Sequence, residues 1–275
     1  MVTHSSFVSR AGRYTLLGAV LLIMVFPLLW MFRISLLSPG TSLAISEIVG
    51  AGYTLSNYLD LFTSSEILRS LVNSILVGGA VTIGNVLFCF MAGYGLARYH
   101  SLTNRLLFGS VLVVLMIPAH VTIIPTYILM LKLQLYDSYG ALILPFLVNP
   151  IGIFLVKQYV ESIPPSMEEA ARIDGASDWQ ILMRVVMPVC RPALAVLAIQ
   201  VFFTNWNSFL FPFILTSSQE LRTLPVALAM LQGHQAIDWQ HLMAGSAIAV
   251  LPVLVLFVIL QRQIVSGITA GAIKQ

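Results

Sequence analysis

Pro164-Pro165-Ser166-Met167-Glu168-Glu169-Ala170-Ala171-Arg172-Ile173-Asp174-Gly175-Ala176-Ser177 is a polar island between two apolar stretches, about Tyr139–Val160 and Pro192–Leu215. Each flank is long enough to cross a bilayer core, which takes about 20 apolar residues. The island therefore lies outside the membrane, between an incoming and a returning span. Four more stretches of the same kind occur at about Tyr14–Leu36, Leu71–Ala97, Leu106–Leu131 and His241–Leu260. The expected fold is all-α, a polytopic transmembrane bundle of six helices. The chain is expected to form a single domain over residues 1–275, with the island inside a cytoplasmic loop at about 161–191.

Composition supports this reading. Of 275 residues, 58% are hydrophobic and only 9% charged, and the mean hydropathy is +0.92. A soluble domain carries about 25% charged residues, enough to cover a wet surface. The net charge of +3 and the lack of any Lys/Arg run give no footprint for nucleic acid. Cys89 and Cys190 lie in or beside apolar stretches, with no Cys or His at metal spacing, and read as packing residues. The first stretch follows Arg10 and Arg13, as a signal sequence would. It is longer than the usual apolar region of about 7–15 residues and lacks a small-residue cleavage site, so a retained span is expected.

Lys and Arg set the orientation. With the N-terminus inside, Arg10, Arg13, Arg98, Arg105, Lys157, Arg172, Arg184, Arg191, Arg262 and Lys274 are cytoplasmic. Arg33, Arg69, Lys132 and Arg222 are on the far side, where Arg33 and Arg69 can snorkel from span ends. Both termini and the island then face the cytoplasm. Far-side loops at about Ser38–Ser70 and Thr216–Gln240 carry Tyr53, Tyr58, Phe62 and Trp239, which suit interfacial anchoring or a docking surface. Ser74, Gly78 and Thr82, and Ala80 and Gly84, form lines of small residues that let helices approach closely.

No span carries a mid-membrane Asp, Glu, Lys or Arg, the usual relay of an ion-coupled carrier. His120, in the third span, has no charged partner nearby and reads as a packing residue. There is no Gly-x-x-x-x-Gly-Lys-Ser/Thr loop to cradle phosphates. No His-Glu-x-x-His or Gly-x-Ser-x-Gly sequence marks a membrane-embedded enzyme. If the chain moves solute, energy enters from another subunit. An ion-coupled secondary transporter is the alternative, and it leaves the island unexplained.

The island reads as two short helices. Ser166 and Glu169 have capping-box spacing, and Glu168 and Glu169 suit the positive end of a helix. Gly175 suits a left-handed stop. Ser177 and Gln180 have capping-box spacing again, and Trp179, Leu182, Met183 and Val186 share one helical face. An amphipathic hairpin resting on the membrane would satisfy all of this.

Glu169-Ala170-Ala171, three residues, Gly175, nine residues, then Val185-Val186-Met187-Pro188 resembles the cytoplasmic signature of binding-protein-dependent ABC importer permeases. Val185 and Met187 stand where the family has Ile and Leu. Asn57-Tyr58, Tyr94-Gly95-Leu96-Ala97-Arg98, Ile173-Asp174-Gly175-Ala176, Trp206-Asn207 and the tail Gly267–Lys274 are similar to the carbohydrate-uptake branch. Within it the chain most resembles the shorter permease of the maltose-type heterodimer; Gln275 ends the tail where the family commonly has Gly.

The resemblance implies a non-enzymatic permease in a bacterial or archaeal inner membrane. It implies a second permease subunit, two cytoplasmic ATPase subunits that use the ATP, and an extracytoplasmic solute-binding protein. No cofactor would be bound by this chain itself. Glu168, Glu169, Ala170, Ala171, Asp174 and Gly175 would couple to the ATPase, and the tail would reach the ATPase dimer. Asn205, Trp206 and Asn207 are costly to expose to lipid, so they should face protein or a cavity. Lining the solute path and bonding between helices both fit them.

Overall fold

The structure is a computed structural model that describes residues 7–231 and 237–272, with side chains over 12–64, 66–231, 237–259 and 261. The side chains of Arg10, Arg262 and the tail residues 267–272, and all of Ile273–Gln275, lie outside the described residues. Among those described, every regular element is helical. The order is α1 (Phe7–Ser35), α2 (Ile45–Gly50), α3 (Ser56–Thr63), α4 (Ser65–Arg98), α5 (Leu102–Leu115), α6 (Ile123–Lys132), α7 (Tyr139–Ile143) and α8 (Pro150–Glu161). There follow α9 (Ser166–Ile173), α10 (Asp178–Gln180), α11 (Met187–Val189), α12 (Arg191–Trp206), α13 (Leu210–Leu215), α14 (Leu224–Met230) and α15 (Trp239–Ala272).

Four stretches are long and apolar enough to cross a membrane: Gly12–Ser35, Glu66–Arg98, Tyr139–Glu161 and Trp239–Ile259. Two more are bent pairs, Leu102–Leu115 with Ala119–Lys132 at 97°, and Asp178–Val189 with Arg191–Trp206 at 78°. Counting each bent pair as one crossing gives the six expected, the third and fifth being sharply bent rather than straight. Pro118 breaks the third, because proline cannot donate to the preceding turn and pushes the residue before it out of helical geometry. His120 sits on the exposed 3-10 turn at that break, with its ring 6.5 Å from Phe211. The fifth stops at Trp206, where Asn207 leaves helical geometry and its side chain bonds the Phe203 carbonyl at 2.8 Å.

The chain divides into two compact units. One comprises the residues up to Leu68 together with Leu228–Leu251. Its small core gathers Ile34, Leu37 and Ile48 against Trp30, Ala51 and Met243. Asn57 donates to the carbonyls of Ser35 at 2.8 Å and Leu37 at 2.7 Å, satisfying the frayed end of α1. Arg33 bonds the Ala51 carbonyl at 2.7 Å and lies 4.7 Å over the Tyr53 ring, and the Tyr58 hydroxyl is 2.6 Å from that of Ser35. These tyrosines therefore hold the loop to α1.

The second unit comprises Arg69–Ala227 and the chain from Pro252 onward. Its core includes Phe90, Leu142, Val156, Val160, Leu197 and Val201. Small residues on α4 carry the close contacts. A Cβ on Gly78 would lie 3.3 Å from Phe202, and one on Gly93 would lie 2.7 Å from Val156 and 3.0 Å from the Lys157 backbone nitrogen. Asparagines satisfy the breaks. Asn73 donates to the carbonyls of Glu220 and Arg222 and accepts from Tyr139. Asn85 donates to Phe146 at 3.0 Å and accepts from Asn149, whose own side chain caps α8. Asp137, at φ 56°, accepts from the backbone N–H groups of Ser217 and Ser218, each at 2.9 Å, and from the Ser218 hydroxyl. Those bonds, with the Ser218 hydroxyl first, hold its carboxyl down at about 2. Cys89 and Cys190 are buried free thiols.

Gly93→Ala should destabilise the protein by about 1–3 kcal/mol through overpacking against α8. Gly95→Ala is the matched control, because a Cβ there meets nothing within 4 Å. Thermal unfolding in detergent should show a lower Tm for the first and an unchanged or higher Tm for the second.

Candidate coupling site

The island folds as the expected hairpin, with one change at its start. Pro165 already has helical backbone angles (φ −58°, ψ −26°) and takes the position before the first helical residue. Ser166 is therefore inside α9, and the expected Ser166–Glu169 capping box does not form. A capping side chain needs the extended backbone that Pro165 has ended. The other end is as expected. Gly175 has φ +85°, Ala176 N–H bonds the Ala171 carbonyl at 3.0 Å, and Gly175 N–H bonds that of Arg172 at 3.1 Å. This is a Schellman stop, which needs the left-handed residue that glycine supplies most readily.

The second capping box does form. Ser177 N–H donates to Gln180 at 2.8 Å and Gln180 N–H to the Ser177 hydroxyl at 3.3 Å. After α10 the chain makes a widened π-helical turn, Ile181–Val186. It lies directly before Pro188, which has no N–H for the Arg184 carbonyl four residues back. The wider turn changes the buried face: Ile181, Leu182 and Val186 are buried and Met183 half-buried, while Trp179 faces outward at 57% exposure. Arg172 and Asp178 pair across the turn at 3.0 Å, and that bond, with the carboxylate's charge, raises the guanidinium pKa above its ordinary value.

Sequence reasoning groups Glu168 with Glu169, but the structure separates them. Glu169, Ala170, Asp174 and Gly175 are exposed, and Ala171 packs against the core. Glu168 is 6% exposed and turned inward. Arg98 Nε donates to its Oε1 at 2.6 Å, and the Tyr94 hydroxyl donates to Oε2 at 2.8 Å. Arg98 also bonds the Ile163 carbonyl at 3.1 Å. So Glu168 cannot serve as an outward contact in this arrangement. Tyr94 and Arg98 are the residues that sequence reasoning missed as part of the site. The available signal was opposite charge in the island and at the end of the second apolar stretch.

The proposed path residues are also split. Trp206 is 3% exposed and stacked on Phe202, with ring centroids 5.4 Å apart. Asn205 is half-buried near Gly78, and Asn207 is exposed.

Residues 85–270 match the family described as "Binding-protein-dependent transport system inner membrane component". The chain belongs to that family. The permease is 33% identical over 268 residues to the arabinooligosaccharides transport system permease protein AraQ of Bacillus subtilis, covering 94% of this chain and 95% of that one. It is 32% identical over 266 residues to the trehalose/maltose transport system permease protein MalG of Thermococcus litoralis, with 94% and 95% covered. Its fold matches a crystal structure of a bacterial ABC transporter involved in the import of the acidic polysaccharide alginate. That match has a TM-score of 0.82 at 23% identity, covering 95% of this chain and 98% of that one. The permease is a multi-pass inner-membrane subunit of a transport system, and nothing in its fold or its relatives supports the ion-coupled alternative.

Gly175 tests the hairpin turn, since a Cβ there meets nothing within 4 Å and any cost comes from its φ alone. Gly175→Ala should cost about 1–2 kcal/mol, and Gly175→Asn less, because Asn tolerates the left-handed region. Limited proteolysis of the hairpin should be faster for Ala than for Asn, and slowest for the parent.

Proposed function

We propose that this permease is one half of the translocation path of an ATP-driven importer for a sugar or related solute. It pairs with a second, different permease subunit. Two ATPase subunits bind and hydrolyse the ATP on the cytoplasmic side, and an extracytoplasmic binding protein delivers the solute. The relatives' arabinooligosaccharide and trehalose/maltose substrates favour a carbohydrate cargo. The Lys/Arg bias favours cytoplasmic termini.

One observation carries the reading. The hairpin is braced from within by Glu168, yet Ile173 at 87% exposure, Trp179 at 57% and the neighbouring Glu169 are all left uncovered on it. A large apolar side chain left in water forgoes about 1.5–3 kcal/mol of burial. An ATPase cleft that takes up Ile173 and Trp179 recovers it, with Glu169 making the polar contact and Ala170 allowing close approach. ATP-driven closure would push the hairpin and swing the spans between inward- and outward-facing states. The drive is the difference in contacts between those states. Of the three positions at the end of the fifth span, Asn205 and Asn207 remain as path-lining proposals, and Trp206 serves packing.

Glu169→Lys and Gly175→Asp should leave membrane insertion intact and abolish uptake in the reconstituted importer. Normal uptake in both variants would refute the docking role. Uptake that survives ATP depletion but collapses with the ion gradient would overturn the importer assignment itself.

A further inference from the structure

Glu168 and Glu169 are adjacent at the start of α9 and face opposite ways. The inward one has both carboxylate oxygens engaged, by Arg98 Nε at 2.6 Å and the Tyr94 hydroxyl at 2.8 Å. Arg98 holds a second point as well, the Ile163 carbonyl at 3.1 Å. Ile163 lies just before Pro164-Pro165, and Glu168 lies just after. A proline pair offers no N–H with which the entry to α9 could be tied to its surroundings. Arg98 supplies that tie from outside, gripping the chain on both sides of the prolines. With both partners of the ion pair largely withdrawn from solvent (side chains 14% and 8% exposed), water does little to weaken it. Arg98 is the last residue of α4, a helix of 34 residues, about 50 Å long at the usual rise.

We infer that Tyr94 and Arg98, acting through Glu168, are positioning residues that rigidly link the docking hairpin to the cytoplasmic end of α4, so that a push on α9 is delivered along that helix to its far end. The inference rests on the reading above that an ATPase grips the hairpin. It assigns Glu168 to transmission within the permease and leaves the ATPase contact to its neighbours. A purely structural ion pair would hold the fold together without carrying motion, and the two roles separate in a labelling experiment.

The assembled importer in proteoliposomes would carry a nitroxide either at Ser166→Cys, exposed at the start of α9, or at Val72→Cys, exposed near the opposite end of α4. Spectra are compared with and without ATP plus vanadate, in the parent and in Arg98→Gln/Glu168→Gln. The paired change leaves no orphan buried charge, which a single Arg98→Gln would. In the parent, both labels should respond to ATP plus vanadate. In the double variant, the Ser166 label should still respond and the Val72 response should be lost, with Tyr94→Phe intermediate. A Val72 response that persists in the double variant overturns the inference, as does a silent Val72 in the parent. Loss of the Ser166 response in the double variant alone also overturns it, because the pair would then belong to docking. A silent Ser166 label in the parent would instead count against the functional reading on which the inference stands.

Discussion

A carboxylate drawn out of water at the mouth of an apolar bundle has to be matched by a charge and by donors for both oxygens, and Glu168 is matched by Arg98 and Tyr94. Removing one partner of such a buried pair typically costs about 3–5 kcal/mol, because the other charge is left stranded. That constraint fixes how the hairpin can sit. With Glu168 turned in, the helical repeat of α9 turns Glu169, Ala170 and Ile173 outward and sets Ala171 against the core. The face that an ATPase would meet is thus determined by a contact on the opposite side of the same short helix.

A related constraint shapes the rest of the larger unit. Backbone polar groups left unpaired in an apolar setting are costly, so every break in a span needs a partner for its carbonyls. For two neighbouring irregular stretches α4 supplies them through asparagine side chains. Asn85 reaches the Phe146 carbonyl ahead of α8, and Asn73 reaches those of Glu220 and Arg222. The Ser74 hydroxyl does the same for the Leu224 N–H at 2.7 Å. Gly93 on the same helix lets α8 approach to backbone contact. One long helix therefore provides close packing, polar satisfaction of neighbouring irregular chain, and the grip on Glu168.

What was legible in the sequence was what local chemistry determines. Span number follows from apolar length. The Gly175 stop and the Ser177–Gln180 box follow from backbone and side-chain geometry within six residues. The departures all come from effects that local pattern does not encode. Ser166 has capping spacing, but Pro165 had already entered the helix. Pro118 was visible, yet proline in a membrane helix is compatible with a mild kink as well as with the 97° break observed. Trp179 shares a face with Leu182 in a regular helix, yet at the first turn of its helix it stays exposed while Leu182 is buried. Glu168 and Glu169 are indistinguishable by composition. Only the tertiary position of Arg98, 70 residues away, tells them apart.

If the driving subunit holds this permease by the outward face of the hairpin, that face must be covered when the subunit binds. Maleimide labelling of Ile173→Cys tests it most directly, since the two native cysteines are buried. Ile173→Cys should label rapidly in the permease without its ATPase and be strongly protected once the ATPase is bound. Equal labelling in the two preparations, with the complex intact, would contradict it.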